Sequence, residues 1–234
     1  MSCKTILDHL HSLANPEIAQ HSQHFFKTGE GEYGYGDIFL GIRVPIIRKA
    51  VKKFKDAPLD VIEELLKSKY HEIRLFALLS LVLRFSKTTL KKQEEIYHIY
   101  LNNTQYINNW DLVDSSAHYI VGDYLLLRDK TILYDLSLSD SLWERRIAIM
   151  STFYFIKKNQ FEDALNIAER LLSDKEDLIH KAVGWMLREI GKRDMGVEVK
   201  FLNKHYKTMP RTMLRYAIEK FDEDERQKYL KSNA

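Results

Sequence analysis

Apolar residues recur three and four positions apart in one segment after another, the spacing at which side chains share a helix face. After Pro45 the pattern predicts helices at Ile46 to Phe54, Asp60 to Leu66, His71 to Phe85 and Lys91 to Leu101. It continues at Lys130 to Leu136, Ser141 to Lys157, Glu162 to Ser173, Asp177 to Gly191, Gly196 to Tyr206 and Pro210 to Phe221. Two amphipathic helices precede these, Lys4 to Ala14 and Pro16 to Phe26, the second with Asn15 as N-cap and Pro16 at its first position. No convincing strand interrupts the series, so the chain is expected to be all-α.

Several helices look like copies. SKYHEIRLFALLSL, SDSLWERRIAIMSTF, SDKEDLIHKAVGWML and KTMPRTMLRYAIEKF each place a polar turn, a basic residue and then an apolar stripe, aligning Arg74, Arg146, Lys181 and Arg215. Such helical-hairpin units stack into a curved α-solenoid whose concave face binds a partner. With no linker inside the series, residues 1–234 are expected to form one domain.

Asn108 to Tyr119 (NNWDLVDSSAHY) is the segment with the most chemistry, and its flanks predict a helix running to about Leu127. Val113, Ala117, Ile120, Val121 and Tyr124 form the core stripe, with Trp110 and Asp114 inside it or at its edge and His118, Tyr119 and Asp111 pointing elsewhere. An acid on the margin of an apolar face is paired, functional or costly. A capping or dipole role for Asp114 is as compatible with the sequence as a site.

One stretch imitates a motif. Gly29, Gly31 and Gly34 satisfy G-x-G-x-x-G, but the run follows a helical segment and leads into DIFLGIRVP, whereas a dinucleotide fingerprint follows a strand and opens a helix. A tight loop docking Phe39 and Leu40 on the core is expected instead.

Composition narrows the class. Hydrophobic residues make up 45% and charged residues 29%, as in a globular protein, and only four prolines and nine glycines favour long regular elements. The net charge of +3 permits nucleic acid as a partner without demanding it. The single cysteine, Cys3, supplies neither an internal disulfide nor a metal cluster, which fits a reducing compartment. His9, His11, His21 and His24 crowd the N-terminal region without a zinc-ligand pattern, so solvated histidines are expected rather than a metal. The N-terminus lacks the apolar core of a signal peptide, and Leu75 to Leu83 is too short to span a bilayer, so the reading is cytoplasmic with no membrane partner.

The three tryptophans, Trp110, Trp143 and Trp185, fall near the start or middle of repeat helices. Leu178, Lys181, Trp185, Arg188 and Lys192 share a face by i+3/i+4 stepping; Trp143 with Arg146, and Arg211 with Arg215, do so on their own helices. Cations interleaved with aromatics at one level of a solenoid suit a phosphate backbone with a base or sugar against a π-face. Packing tryptophans and solvating cations are the plain alternative.

NNWDLVDSSA, LWERRIA and HKAVGWMLRE, with FLGIRVPIIRK upstream and PRTMLRYAIEKF downstream, resemble the AlkD-like DNA alkylation repair family of HEAT-like-repeat DNA glycosylases, over nearly the whole chain. The resemblance implies a monomeric solenoid of HEAT-like repeats that wraps double-stranded DNA carrying alkylated bases and excises N3- and N7-alkylated purines, with no cofactor. Trp110, Asp114, Arg146 and Trp185 match the residues that surround the lesion's sugar and phosphate in that family, with Arg145 as the other candidate for the arginine. Arg43, Arg48, Trp143, Arg145, Lys181, Arg188, Arg211 and Arg215 complete the expected DNA-contacting set. The Gly29 to Gly41 loop, with Tyr33 and Tyr35, looks like a feature of one branch, and some branches bind DNA without excision. A non-catalytic DNA-binding or scaffold solenoid is the alternative function.

Overall fold

Helices account for the regular structure, as the periodicity predicts. The computed structural model describes residues 2–231, and among them the only β-type pairing is an isolated bridge between Ile38 and Tyr70. The chain divides into two compact units, Met1–Ile120 and Val121–Ala234.

The first unit contains α1 (Cys3–His11), α2 (Pro16–Phe25), α3 (Val44–Lys53), α4 (Leu59–Leu66), α5 (His71–Phe85), α6 (Leu90–Asn102) and α7 (Trp110–Asp114). Asn15 caps α2 as expected, its side chain accepting from the Ile18 N–H at 3.0 Å. α5 is the central element, packed by α3, α4, α6 and α7, and it is buried almost all round. A helix with no wet face is what an unbroken run such as LFALLSL requires. The loop between α2 and α3 docks Phe39 and Leu40 on the core as expected, with 7% and 8% of each residue exposed. Gly41 ends that loop at φ +79°, so close to the Asn15 carbonyl that a Cβ would collide with it.

The second unit contains α8 (Asp123–Leu125), α9 (Thr131–Leu136), α10 (Leu142–Ile156), α11 (Glu162–Arg170), α12 (Asp177–Gly191), α13 (Met195–His205), α14 (Arg211–Ala217) and α15 (Glu223–Lys231). α10 packs on α9, α11 and α12, and α12 in turn on α13 and α14, so helices meet their chain neighbours in the manner of helical repeats.

Two elements differ from the sequence reading. α15 is absent from the sequence reading because its apolar stripe is almost empty. Asp222 starts it by accepting from the Glu225 N–H at 2.9 Å, and the side-chain pairs Arg226–Glu223 and Gln227–Glu223 support it. The helix predicted from Asn108 to about Leu127 is broken: α7 ends at Asp114, a turn follows, and His118–Gly122 forms a π-helical turn before α8. The wider turn changes the facing of the residues, so His118, expected to point away from the core, is buried at 6% exposure.

The repeat register also shifts by one residue. Arg74 donates to the Ser68 carbonyl six residues back at 3.0 Å, Arg145 to the Ser139 carbonyl six back at 2.9 Å, and the His180 ring meets the Asp174 carbonyl six back at 2.6 Å. Equivalent positions are therefore Arg74, Arg145 and His180, one residue away from the Arg146 and Lys181 that pattern matching aligned with Arg74.

Candidate functional site

A helix of five residues cannot hold itself in water, and α7 is held from outside. Asn109, its N-cap, accepts from the Trp110 N–H at 2.8 Å, and Asp111 Oδ1 accepts from the Leu112 N–H at 2.9 Å. Asp111 Oδ2 lies 2.9 Å from His71 Nε2 on α5, and His71 Nδ1 lies 3.0 Å from Asp37 Oδ2 in the loop. Arg74 donates to Asp37 Oδ1 at 2.5 Å and to Asn108 Oδ1 at 3.0 Å, and Asn109 Nδ2 donates to Asp37 at 3.3 Å. Asp37, His71 and Arg74 are all buried.

The network favours the charged forms of both His71 and Asp37. Burial by itself would strip the proton from His71, but the charge and hydrogen bond of Asp111, joined by those of Asp37, outweigh it and push the imidazole up to about 9. Burial opposes ionisation of Asp37 as well, and the hydrogen bond to His71 with the Arg74 charge outweighs it, holding the carboxyl below its usual range. Each charge is matched by a partner, the condition under which buried ions persist. Beside it, Glu72 receives the backbone N–H groups of Leu40 and Gly41, both at 2.8 Å, and of Ile42 at 3.2 Å, clamping the loop to α5.

Trp110 is positioned by stacking. Its ring lies 5.3 Å from Phe26 at 22°, Phe26 lies 5.0 Å from Phe39 at 19°, and Phe39 lies 4.5 Å from His71 at 22°. Trp110 and Asp114, the two ends of α7, are both half-buried, at the edge of the apolar stripe where the spacing put them. Next to them Tyr100 is fully buried with its hydroxyl 3.0 Å from Ser116 Oγ; burial, assisted by the nearby Asp114 charge, pushes its pKa up.

In the second unit Trp143 and Arg146 ride on α10 and Trp185 on α12. Trp143 and Trp185 are half-buried, and Trp185 meets Phe153 at 5.8 Å. Arg146 is buried, donating to the Leu178 carbonyl at the start of α12. Arg145 pairs with Asp174 at 2.6 Å besides its bond to Ser139, so it staples the α10 start to the turn before α12. On α12 Leu178, Lys181, Trp185 and Arg188 are partly exposed, with the exposed C-cap Lys192 after them, while Ile179, Ala182, Val183, Met186 and Leu187 are buried, as the i+3/i+4 stepping predicts; Asp177 and His180 in the first turn are exposed or partly exposed as well.

The other expected DNA contacts divide. Arg43, Arg48 and Arg215 are exposed. Lys181 pairs with Asp177 at 2.7 Å, Arg188 pairs with Glu219, and exposed Arg211 donates to the Leu230 carbonyl at 2.6 Å. Of the N-terminal histidines His11, His21 and His24 are exposed, as expected, while half-buried His9 meets the Phe54 ring at 5.2 Å and His11 the Tyr70 ring at 5.1 Å. Among the described residues no group of three His, Cys, Asp or Glu side chains could hold a metal ion, and no helix is long and apolar enough to cross a membrane.

Asp37, His71 and Asn109 were not singled out by the sequence reading. Asp37 sits inside the glycine-rich decoy and His71 in a repeat copy, and their partners lie 34 to 72 residues away, a separation at which no local spacing carries a signal.

A family model described as DNA alkylation repair enzyme matches residues 6–221. No curated protein matches the chain. Among solved structures, a predicted DNA alkylation repair enzyme from Enterococcus faecalis superposes with a TM-score of 0.70 at 18% identity, covering 90% of this chain and 97% of that one. The smu.31 protein of Streptococcus mutans UA159 gives 0.55 at 19% identity, covering 94% and 99%. AlkD2 from Streptococcus mutans gives 0.54 at 17%, covering 88% and 98%. At such identities the likeness to these structures is one of fold.

Proposed function

The chain belongs to the DNA alkylation repair enzyme family, and on that premise we propose that it is a DNA glycosylase that hydrolyses the N-glycosidic bond of N3- and N7-alkylated purines in double-stranded DNA. The observation that carries the reading is the pair Trp110 and Asp114: two half-buried side chains, an aromatic and a carboxylate, at the two ends of the short helix α7.

The chemistry needs little else. Alkylation at N3 or N7 makes the purine a cation, so it departs without a general acid, and the barrier lies in the positive charge growing on the deoxyribose. The Asp114 carboxylate stabilises that oxocarbenium-like charge and orients the attacking water. Trp110 offers its π-face to the sugar. In the second unit half-buried Trp185 offers a second aromatic contact with the DNA, while exposed Arg43, Arg48 and Arg215 supply sequence-independent attraction to the backbone; a phosphate contact from Arg146, which is buried on the Leu178 carbonyl, would require that bond to be exchanged.

The test is release of 3-methyladenine or 7-methylguanine from methylated duplex DNA by the wild type and by Asp114→Asn. The wild type is expected to release both. The variant should lose a factor of about 10² to 10³ in rate, the usual effect of removing one preorganised electrostatic partner, with DNA affinity retained. Salt-sensitive binding without release by the wild type would replace this reading with a DNA-binding protein that does not excise, and equal rates for the two proteins would remove Asp114 from the mechanism.

A further inference from the structure

The charge lattice grips one end of α7. Asn108, Asn109 and Asp111 all lie at the start of the helix, whereas Asp114, the carboxylate on which the proposed chemistry turns, is its last residue. Beneath that far end lies a pair of buried hydroxyls, on Tyr100 and Ser116.

The break after α7 changes the backbone bonding. An unbroken helix would carry the Ser116 N–H to the Leu112 carbonyl, but it bonds the Val113 carbonyl instead, at 3.1 Å. The Ser116 hydroxyl replaces the lost donor, reaching the Leu112 carbonyl at 2.5 Å, the back-bond to the residue four earlier that bends helices. The Ser116 carbonyl in turn accepts from the N–H groups of Tyr119 at 3.1 Å and Ile120 at 3.0 Å, which opens the next turn. Ser116 is therefore the pivot at which one helical segment stops and the next begins.

A serine hydroxyl has a single proton. Ser116 directs it to Leu112, so the Tyr100 hydroxyl, 3.0 Å from Ser116 Oγ, is the donor of that bond. Tyr100 is itself held firmly. Three residues on, Asn103 donates to Glu63 Oε1 of α4 at 3.1 Å and to the Ile99 carbonyl at 2.8 Å, tying the end of α6 to its neighbour. Burial, reinforced by the Asp114 charge and opposed by the Ser116 bond, pushes the phenol pKa up, so the hydroxyl keeps the proton it donates.

We propose that Tyr100 is a positioning residue for Asp114: through Ser116 it fixes the point at which α7 stops, and with it the direction in which the Asp114 carboxylate leaves the helix. The consequence for rate rests on the excision reading; the hold on the end of α7 does not.

Tyr100→Phe keeps the ring and removes only the donor. With methylated duplex DNA, single-turnover release of 7-methylguanine is expected to fall at least about tenfold with DNA affinity unchanged, since small misplacements of a reacting group act on rate. A tyrosine that only packed the core would lower the melting temperature and leave the rate alone. Ser116→Ala should reproduce the loss. In the Asp114→Asn background Tyr100→Phe should cost nothing further, because an effect transmitted through Asp114 vanishes with it. Amide exchange at residues 113–116 needs no activity and should quicken in Tyr100→Phe while α5 stays protected. Unchanged exchange at those amides, a full rate in Tyr100→Phe, or an equal loss of rate in the Asp114→Asn background would overturn the proposal. If the wild type excises and Tyr100→Phe matches it, the positioning role alone falls; if the wild type excises nothing, the excision reading falls and the exchange measurement decides whether Tyr100 holds the end of α7.

Discussion

The two units hold their candidate residues by opposite means. In the first, Trp110 and Asp114 ride on a five-residue helix fixed by a buried lattice of charges, Asp111, His71, Asp37 and Arg74, and by a stack of rings. In the second, Trp185 sits in the middle of a fifteen-residue helix fixed by apolar packing on α10 and α14. A long helix satisfies its own backbone and needs only a dry face, whereas a short one must borrow donors and acceptors from distant segments. The first arrangement sets geometry sharply and is sensitive to single charges; the second is sensitive to volume.

The largest effect should come from breaking the charge lattice. Asp37→Ala leaves His71 and Arg74 buried with fewer partners and should destabilise the first unit by about 3–5 kcal/mol. Faster amide exchange at α5 and α7 in the variant would bear this out, and unchanged protection there would show that the lattice does not hold α7. The volume-limited counterpart is Gly184, where a Cβ would run into the Met213 carbonyl and the Tyr216 side chain of α14. Gly184→Ala should therefore lower stability by about 1–3 kcal/mol by overpacking despite its better helix propensity, read as a reduced urea midpoint; a raised midpoint would mean α12 and α14 can part at no cost.

Alkaline pH separates the units again. The His71 pKa lies near 9 in the folded state, above the ordinary 6.5, so its contribution is complete below about pH 6.5 and is lost as pH rises through 9. Amide protection of α5 and α7, corrected for intrinsic exchange, should fall over that range, and a flat profile would mean His71 is neutral throughout. The smallest effect belongs to Glu198 in the second unit, buried against Gly191 with Oε1 lacking a hydrogen-bond partner and its pKa pushed up to about 8 by burial, against the pull of Arg188. Here the folded state holds a proton that the unfolded chain releases near 4.5, so stability falls as pH rises between those values. Glu198→Gln should stabilise the protein by about 1 kcal/mol at pH 7 and make no difference at pH 4, as thermal melts at the two pH values would report.

Much of the first-order picture was legible because it rests on local periodicity. The bounds of α5 and α12 match the predicted segments residue for residue, and the exposed face of α12 is the one stepped out from Leu178 to Lys192. The Trp110–Asp114 pair could be placed at the margin of its stripe since four residues fit within one regular turn. α15 escaped for the complementary reason: its support comes from charge pairs on a nearly all-polar segment, which periodicity of apolar residues cannot register.

Sequence by itself determined the all-α class, the repeat character and the motifs of the family, since each follows from spacings shorter than two helical turns or from contiguous segments. Tertiary structure alone decided what Asp111 does, which arginine of the LWERR segment is the repeat's staple, and why Asp37 matters. Arg145 and Arg146 are indistinguishable by type and differ by one position, and only the carbonyl six residues back and Asp174 across the turn tell them apart. The lattice joins residues dozens of positions apart through single hydrogen bonds, and bonds of that kind leave no period in the chain that makes them.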